Sequence, residues 1–307
     1  MLNYFMPLLG DNGLIFSIDK VVLDYRIPYS KVRDALTRFV SHLPDQYDVN
    51  VKNYDSLKTG VFHANANIIL SDGTSFFVGI GLNANKTLWD RCRLEFNPNK
   101  VAHHKAFLEV LEWLNHNSDF HRRAVKRFDL AIDIPVDRKC AFLVKDQRVY
   151  QERRHGQEWT EYLGAKSSTV GRCKLYNKTT EADLSYPLTR LEITLDPTTP
   201  YDKLHLPTVY YVSSPKVHID KMPNLSDTQR YILGAYLNGY GNLDQLGRRT
   251  REKIESCLSH SCKQATISEA DYGRILAQVS SYTIYPNDLR IPPPIELDQC
   301  PEWSLPF

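Results

Sequence analysis

This chain has no Cys-x-x-Cys pair, and its six cysteines, Cys92, Cys140, Cys173, Cys257, Cys262 and Cys300, are scattered. That spacing argues against a zinc ribbon or a thioredoxin-type motif, and with no export signal the thiols are expected to be reduced and mostly buried. The opening stretch from Met1 to Phe16 lacks a basic n-region and is interrupted by Asp11, so it does not read as a signal peptide. No apolar run approaches the length needed to span a bilayer, and no segment is biased enough to be called disordered. Charge of one sign is missing too: 38 Lys and Arg stand against 36 Asp and Glu, a formal net charge of +2. Overall charge therefore neither favours nor excludes a nucleic-acid partner. The expectation is a cytoplasmic globular protein with no membrane partner, long enough at 307 residues for one large domain or two unequal ones.

What is present is local. Between Arg138 and Lys178 there are ten Lys or Arg against four Asp or Glu, a plausible footprint for phosphates and equally a solvated loop. Strand-like runs occur at Leu14–Asp19, Val61–Leu70, Thr74–Gly81, Arg91–Phe96, Lys126–Ile134, Trp159–Leu163, Arg172–Asn177 and Thr189–Leu195. The second and third are joined by Ser71-Asp72-Gly73, a hairpin turn signal. Amphipathic helices are predicted at Ser30–Leu43, with Val32, Leu36, Phe39 and Val40 on one face, and at His103–Asn115, with Phe107, Val110, Leu111 and Leu114. Such a pattern predicts an α+β fold: an antiparallel curved sheet with packed helices, followed by a small helical segment. The expected division is a catalytic domain over 1–205, a proline-punctuated linker over 206–225, a helical segment over 226–262 and a C-terminal extension over 263–307. The tail from Tyr285, with its Pro-Pro-Pro run, is expected to wrap the surface.

Three strands repeat one tetrad: Arg93-Leu94-Glu95-Phe96, Arg127-Phe128-Asp129-Leu130 and Arg190-Leu191-Glu192-Ile193. Alternation sends each apolar pair to the core and each Arg and carboxylate to the other face. Were the strands neighbours, the carboxylates would sit about 5 Å apart, a site for Mg²⁺ or Mn²⁺. Cross-strand Arg–carboxylate pairing explains the same pattern without a metal, and both readings stand open. Asp133 shares a face with Asp129 but lies roughly 13 Å along the strand, so at most one of the two can join Glu192 at an ion. In Lys174-Leu175-Tyr176-Asn177-Lys178, alternation places Lys174, Tyr176 and Lys178 on one face. Two ammonium groups would favour the phenolate and grip a phosphodiester, as a tyrosine transesterase requires.

These blocks, with Trp89-Asp90-Arg91, Asn97-Pro98-Asn99-Lys100, Tyr162-Leu163-Gly164 and Ser167-Ser168, run in order over roughly residues 86–196. In this the sequence resembles the Rep_trans replication initiators of small rolling-circle plasmids of Gram-positive bacteria, which are related to some conjugative-element relaxases. The resemblance implies that Tyr176 is the nucleophile, with Lys174 and Lys178 beside it. It implies an enzyme that binds a double-strand origin and nicks one strand by metal-dependent transesterification. The cut 5′ phosphate would stay on the tyrosine, leaving a free 3′-OH, and the ends would be rejoined at termination. Asp129, Glu192 and Glu95 are the expected ligands for Mg²⁺ or Mn²⁺, and Arg127, Arg172 and Arg190 are expected DNA contacts. No His-hydrophobic-His motif occurs, since His103-His104 lacks the intervening residue, and this suits a carboxylate site. A homodimer and a host helicase are the implied protein partners, beside origin duplex and a single-stranded nick site.

Ser226 to Leu258 reads as a helix-turn-helix: a first helix ending near Gly239, a short second over Asn242–Leu246, and a third from Arg248. Arg248, Arg249 and Arg251 then sit where a recognition helix meets DNA. A small helical cap with solvated arginines is the competing reading. Two other functions fit the chain: a relaxase with the same chemistry, and a non-catalytic DNA-binding regulator on the same scaffold.

Overall fold

The computed structural model describes residues 7–10, 12–28, 31–54, 62–82, 89–165, 168, 171–212, 222, 224–237 and 242–283. In its first half it forms β1 (Leu8–Leu9), β2 (Ile15–Pro28), α1 (Lys31–Ser41), α2 (Leu43–Gln46), β3 (Val49–Tyr54), β4 (Phe62–Leu70), β5 (Ser75–Leu82) and β6 (Trp89–Phe96). Then come α3 (Pro98–Val101), α4 (Lys105–Asn117), β7 (Ala124–Ile134), β8 (Ala141–Leu143), β9 (Tyr150–His155), β10 (Glu158–Leu163), β11 (Cys173–Asn177), α5 (Lys178–Glu181) and β12 (Thr189–Leu195). The remainder is β13 (Val209–Tyr211), α6 (Asp227–Leu237), α7 (Arg248–Ser261), β14 (Lys263–Gln264) and α8 (Glu269–Ser281). This is the expected α+β architecture with a helical C-terminal part.

One open sheet of eleven strands runs β3-β4-β5-β6-β2-β7-β12-β11-β10-β9, with β1 also on β2. Its pairs are antiparallel. The β4–β5 hairpin turns where expected, with Gly73 at φ 80°, a conformation that costs glycine little. In α4 the residues Phe107, Val110, Leu111 and Leu114 are all buried, and Phe107 packs edge-on against Phe76 at 5.4 Å. Helices therefore cover the apolar side of the sheet. Leu94, Phe96, Phe128, Leu130, Leu191 and Ile193, the apolar halves of the three tetrads, are buried there.

The long strand β2 is interrupted by register shifts at Ile18/Lys20 and Val22/Leu23. Each breaks the one-to-one pairing with β7, which bends the strand and re-aims its side chains. Two expectations about the fold change. Residues 206–225, read as linker, contribute β13, which pairs with β8 on one side and β14 on the other. The short second helix over Asn242–Leu246 is a single 3-10 turn, Leu243–Gln245. Gly239 and the tail from Tyr285 lie outside the described residues, as does the side chain of Val32.

Candidate active site on the polar sheet face

Away from the helices, the sheet presents its polar side chains. Lys174 lies opposite Glu192 and Tyr176 opposite Arg190, while Arg190 faces Asp133 and Thr194 faces Asp129. The phenol of Tyr176 donates to Glu192 Oε1 at 2.6 Å. Lys174 Nζ lies 3.8 Å from the centre of the Tyr176 ring and 3.4 Å from Glu192 Oε2. Phenol, carboxylate and ammonium thus form one compact unit, and Tyr176 is only 5% exposed.

Lys178 does not join them. Strand alternation stops at Asn177, whose side chain accepts from the backbone N–H of Thr180 and starts α5. Lys178 is therefore the first residue of a helix, where it pairs with Glu181. The electrostatics of the phenol also differ from expectation. Burial comes first, and the charge and hydrogen bond of Glu192 add to it, so the Tyr176 pKa is pushed up; Arg190 opposes this. In the DNA-free protein the proton stays on the phenol, with Glu192 placed to receive it.

The tetrad strands β7 and β12 are neighbours, but β2 separates β6 from β7. Glu95 is accordingly apart from the others, with Lys20 at 2.6 Å from its carboxylate. Asp133 is taken by Arg190, which donates to both its oxygens at 2.6 and 2.8 Å. The carboxylate that sequence reasoning missed is Asp19. It accepts from Arg190 at 3.1 Å, lies within hydrogen-bonding reach of Glu192 and raises the pKa of Asp129 through its charge. Asp19 sits at the first bulge of β2, where alternation fails as a guide. Asp129 and Glu192 both have raised pKa values, burial being the largest cause in each. Asp129 is offset by a hydrogen bond from Thr194 and by Lys20 and Arg127, and Glu192 by Lys174 and the Tyr176 hydrogen bond.

Asp19 thus influences both Asp129 and Glu192 on this part of the polar face, although the three do not bring one oxygen each within 4.8 Å of one another, and Asp19 shares Arg190 with Asp133. Of the three tetrad carboxylates, Glu95 is paired with Lys20 and Glu192 with Lys174, while Asp129 makes no ion pair among the described residues.

The basic stretch is largely paired. Arg138 is buried against Glu161, Arg148 lies against Asp146, and Arg154 meets Glu152. Arg153 on β9 and Arg172 beside β11 are different. Each guanidinium lies 5.4 Å from the centre of the Tyr162 ring on the intervening strand β10, and neither has a carboxylate partner among the described residues. Tyr162 is directly opposite Lys174, so this aromatic and its two cations adjoin the Tyr176 unit. Neither Tyr162 nor Arg153 stands out singly in the sequence. Apart from this face, Asp72, His103 and His104 are the one group among the described residues in which three metal-ligating side chains bring a ligand atom each within 4.8 Å of one another.

No helix among the described residues is long and apolar enough to cross a membrane. No family model matches the chain, and no curated protein matches it. Among solved structures, a rolling circle replication initiator protein from Geobacillus stearothermophilus aligns over 87% of this chain and 97% of that one, at 12% identity and a TM-score of 0.35. Those values are too low to establish a shared activity, and the weight of any functional reading falls on the site itself.

Proposed function

We propose that this protein is a DNA strand-nicking and strand-transferring enzyme, the replication initiator of a rolling-circle plasmid, with Tyr176 as its nucleophile. The observation that carries this is the phenol of Tyr176 hydrogen-bonded at 2.6 Å to Glu192 on the polar sheet face, with Lys174 over its ring and Arg190 opposite it on the next strand. The phenolic proton passes to the Glu192 carboxylate as the oxygen attacks a DNA phosphorus. The bond from phosphorus to the 3′ oxygen breaks, the phosphate stays on Tyr176, and the released 3′ oxygen takes up a proton. No bond energy is lost to water, so the reverse reaction rejoins ends. Lys174 leaves the ring to pair with the phosphate, which also weakens its hold on Glu192.

Asp19, Asp129 and Glu192 would hold the divalent ion, which when bound would polarise the phosphoryl oxygens and offset their charge. Glu95, held by Lys20, is not among the proposed ligands. A homodimer and a host helicase belong to this reading as expected partners, and a relaxase would use the same face. The test is incubation with supercoiled DNA carrying the protein's own gene. A nicked product with covalently attached protein supports the proposal; intact DNA recovered free of protein after every divalent ion tested would leave a binding protein on the same scaffold.

Arg153, Arg172 and Tyr162 supply the approach of the single strand, two guanidiniums for phosphates and an aromatic ring for a base. Replacing Arg153 and Arg172 together with alanine should weaken binding of a nick-site oligonucleotide at least tenfold. Its salt dependence should flatten by about 1.4 units, about 0.7 for each single-strand phosphate that no longer meets a guanidinium. Duplex origin binding should change little. Equal salt slopes for wild type and double variant would remove both residues from the path.

Sequence preference is assigned to the start of α7. Arg248 is engaged by Glu252 at 2.7 Å and Arg251 faces Asp244 at 3.7 Å, whereas Arg249 has no ion pair among the described residues. A bidentate arginine–guanine contact discriminates by about 1–3 kcal/mol. Arg249→Ala should therefore reduce preference for cognate over scrambled duplex the most, Arg251→Ala less, and neither should slow cleavage of a nick-site oligonucleotide. Unchanged discrimination in competition binding would make this segment a structural cap.

A further inference from the structure

We infer that Asp72, His103 and His104 form a binding site for a borderline divalent metal such as Zn²⁺, separate from the carboxylate face and independent of the proposed nicking activity. One ligand atom from each of the three lies within 4.8 Å of the others. His104 Nε2 is already 3.2 Å from Asp72 Oδ2, close to the ~3.3 Å between ligand atoms around a tetrahedral ion with bonds of ~2.0–2.1 Å. The rings of His103 and His104 lie 4.3 Å apart, tilted by 37°, and the exposed His103 closes the remainder by rotating its side chain.

Two of the ligands are held by backbone that the fold fixes for other reasons. Asp72 occupies the β4–β5 turn, and its Oδ1 accepts both the backbone N–H of Thr74 at 2.9 Å and the Thr74 hydroxyl at 2.6 Å. That leaves Oδ2 facing His104, the arrangement in which an outer hydrogen bond orients a metal-binding carboxylate. His104 immediately precedes α4. Its N–H is bonded to Val101 O at 3.0 Å and its carbonyl accepts from Leu108 at 3.1 Å, so its Cα direction is set by the helix. Two imidazoles and one carboxylate favour Zn²⁺, Co²⁺, Ni²⁺ or Cu²⁺ over Mg²⁺ or Ca²⁺, and three protein ligands leave a fourth position for water.

The site is remote from Tyr176. From β5 to β11 the path crosses five strand spacings, about 24 Å, and α4 packs on the apolar side of the sheet, where Phe107 meets Phe76 and Phe96. An ion here would tie the tip of the β4–β5 hairpin to the start of α4. Because the unfolded chain has no such assembled site, the ion stabilises the folded state by mass action.

The test uses the metal-free full chain in excess Mg²⁺, titrated with Zn²⁺ by calorimetry and with Co²⁺ by visible absorption, with melting temperature measured alongside. Wild type should bind one equivalent of Zn²⁺ at micromolar free metal, and its melting temperature should rise. His103→Ala, a change at an exposed side chain, and Asp72→Asn should lose that equivalent. Thr74→Ala should bind about 10–100-fold more weakly. Glu192→Gln should bind as wild type does. No equivalent at micromolar Zn²⁺, an equivalent indifferent to His103→Ala and Asp72→Asn, or one abolished by Glu192→Gln would each overturn the inference.

Discussion

Phenylalanine in place of Tyr176 should reduce nicking and covalent capture of supercoiled DNA to background while origin binding stays within about twofold of wild type. The substitution removes one oxygen from a ring that keeps its place between Lys174 and Arg190, so the polar face keeps its charges. Only the nucleophile and the 2.6 Å hydrogen bond to Glu192 disappear. Peptide mapping of the adduct trapped with wild type should find DNA on Tyr176. The other tyrosines of the eighteen provide the control: an adduct on any of them, or nicking by the phenylalanine variant, would overturn the assignment.

Asparagine in place of Asp129 should slow nicking by two orders of magnitude or shift it to higher metal concentration, yet raise the melting temperature at neutral pH. Burial chiefly, with Asp19 adding, raises the Asp129 pKa in the folded protein above its unfolded value. For a carboxyl shifted in this direction, the stabilising contribution is present below the unfolded pKa, near 3.9, and is lost as pH rises through the folded pKa. At neutral pH the fold therefore bears a charge it disfavours, and the amide relieves it. The gain in melting temperature should shrink as pH falls toward 4. Glu192→Gln should behave similarly, though the Tyr176 hydrogen bond and Lys174 offset part of its gain. Mg²⁺ should raise the melting temperature of wild type and not of the Asp129 variant. An Asp129→Asn protein that melts lower at neutral pH would mean that the carboxylate serves structure, through Thr194, and not an ion.

Much of this site can be read from the chain because period-2 alternation is a strong local constraint. Thr189–Leu195 forms the expected strand, and all three tetrads divide their apolar and charged residues between faces as alternation requires. Failures fall where that constraint lapses. Asp19 sits at a bulge, and Lys178 lies just past a strand end that Asn177 converts into a helix cap. The edge strands β3 and β9 carry mixed or wholly polar residues and leave little apolar signal; β9 is Tyr-Gln-Glu-Arg-Arg-His. Most of β2 beyond Asp19 escapes a reading by alternation because this central strand changes register twice along its length. The upward shift of the Tyr176 pKa is out of reach for another reason. It depends first on burial and then on Glu192, brought beside Tyr176 as the cross-strand neighbour of Lys174, and both arise from pairing between distant segments that no local pattern encodes.

The small sheet β14-β13-β8 gives the molecule a ruler. Strand β14 follows directly on α7, and its pairing with β13, and of β13 with β8, fastens the C-terminal end of that helix to the body that carries Tyr176. The backbone bond from Ala265 to Val209 at 2.8 Å closes the joint. With 14 residues, α7 is about 21 Å long, and its arginines stand at the end far from the joint. On the proposed reading, the spacing along DNA between the bases recognised and the bond cut is then a length written into one helix. Origins that this protein accepts would share that spacing more strictly than they share the sequence between the two points.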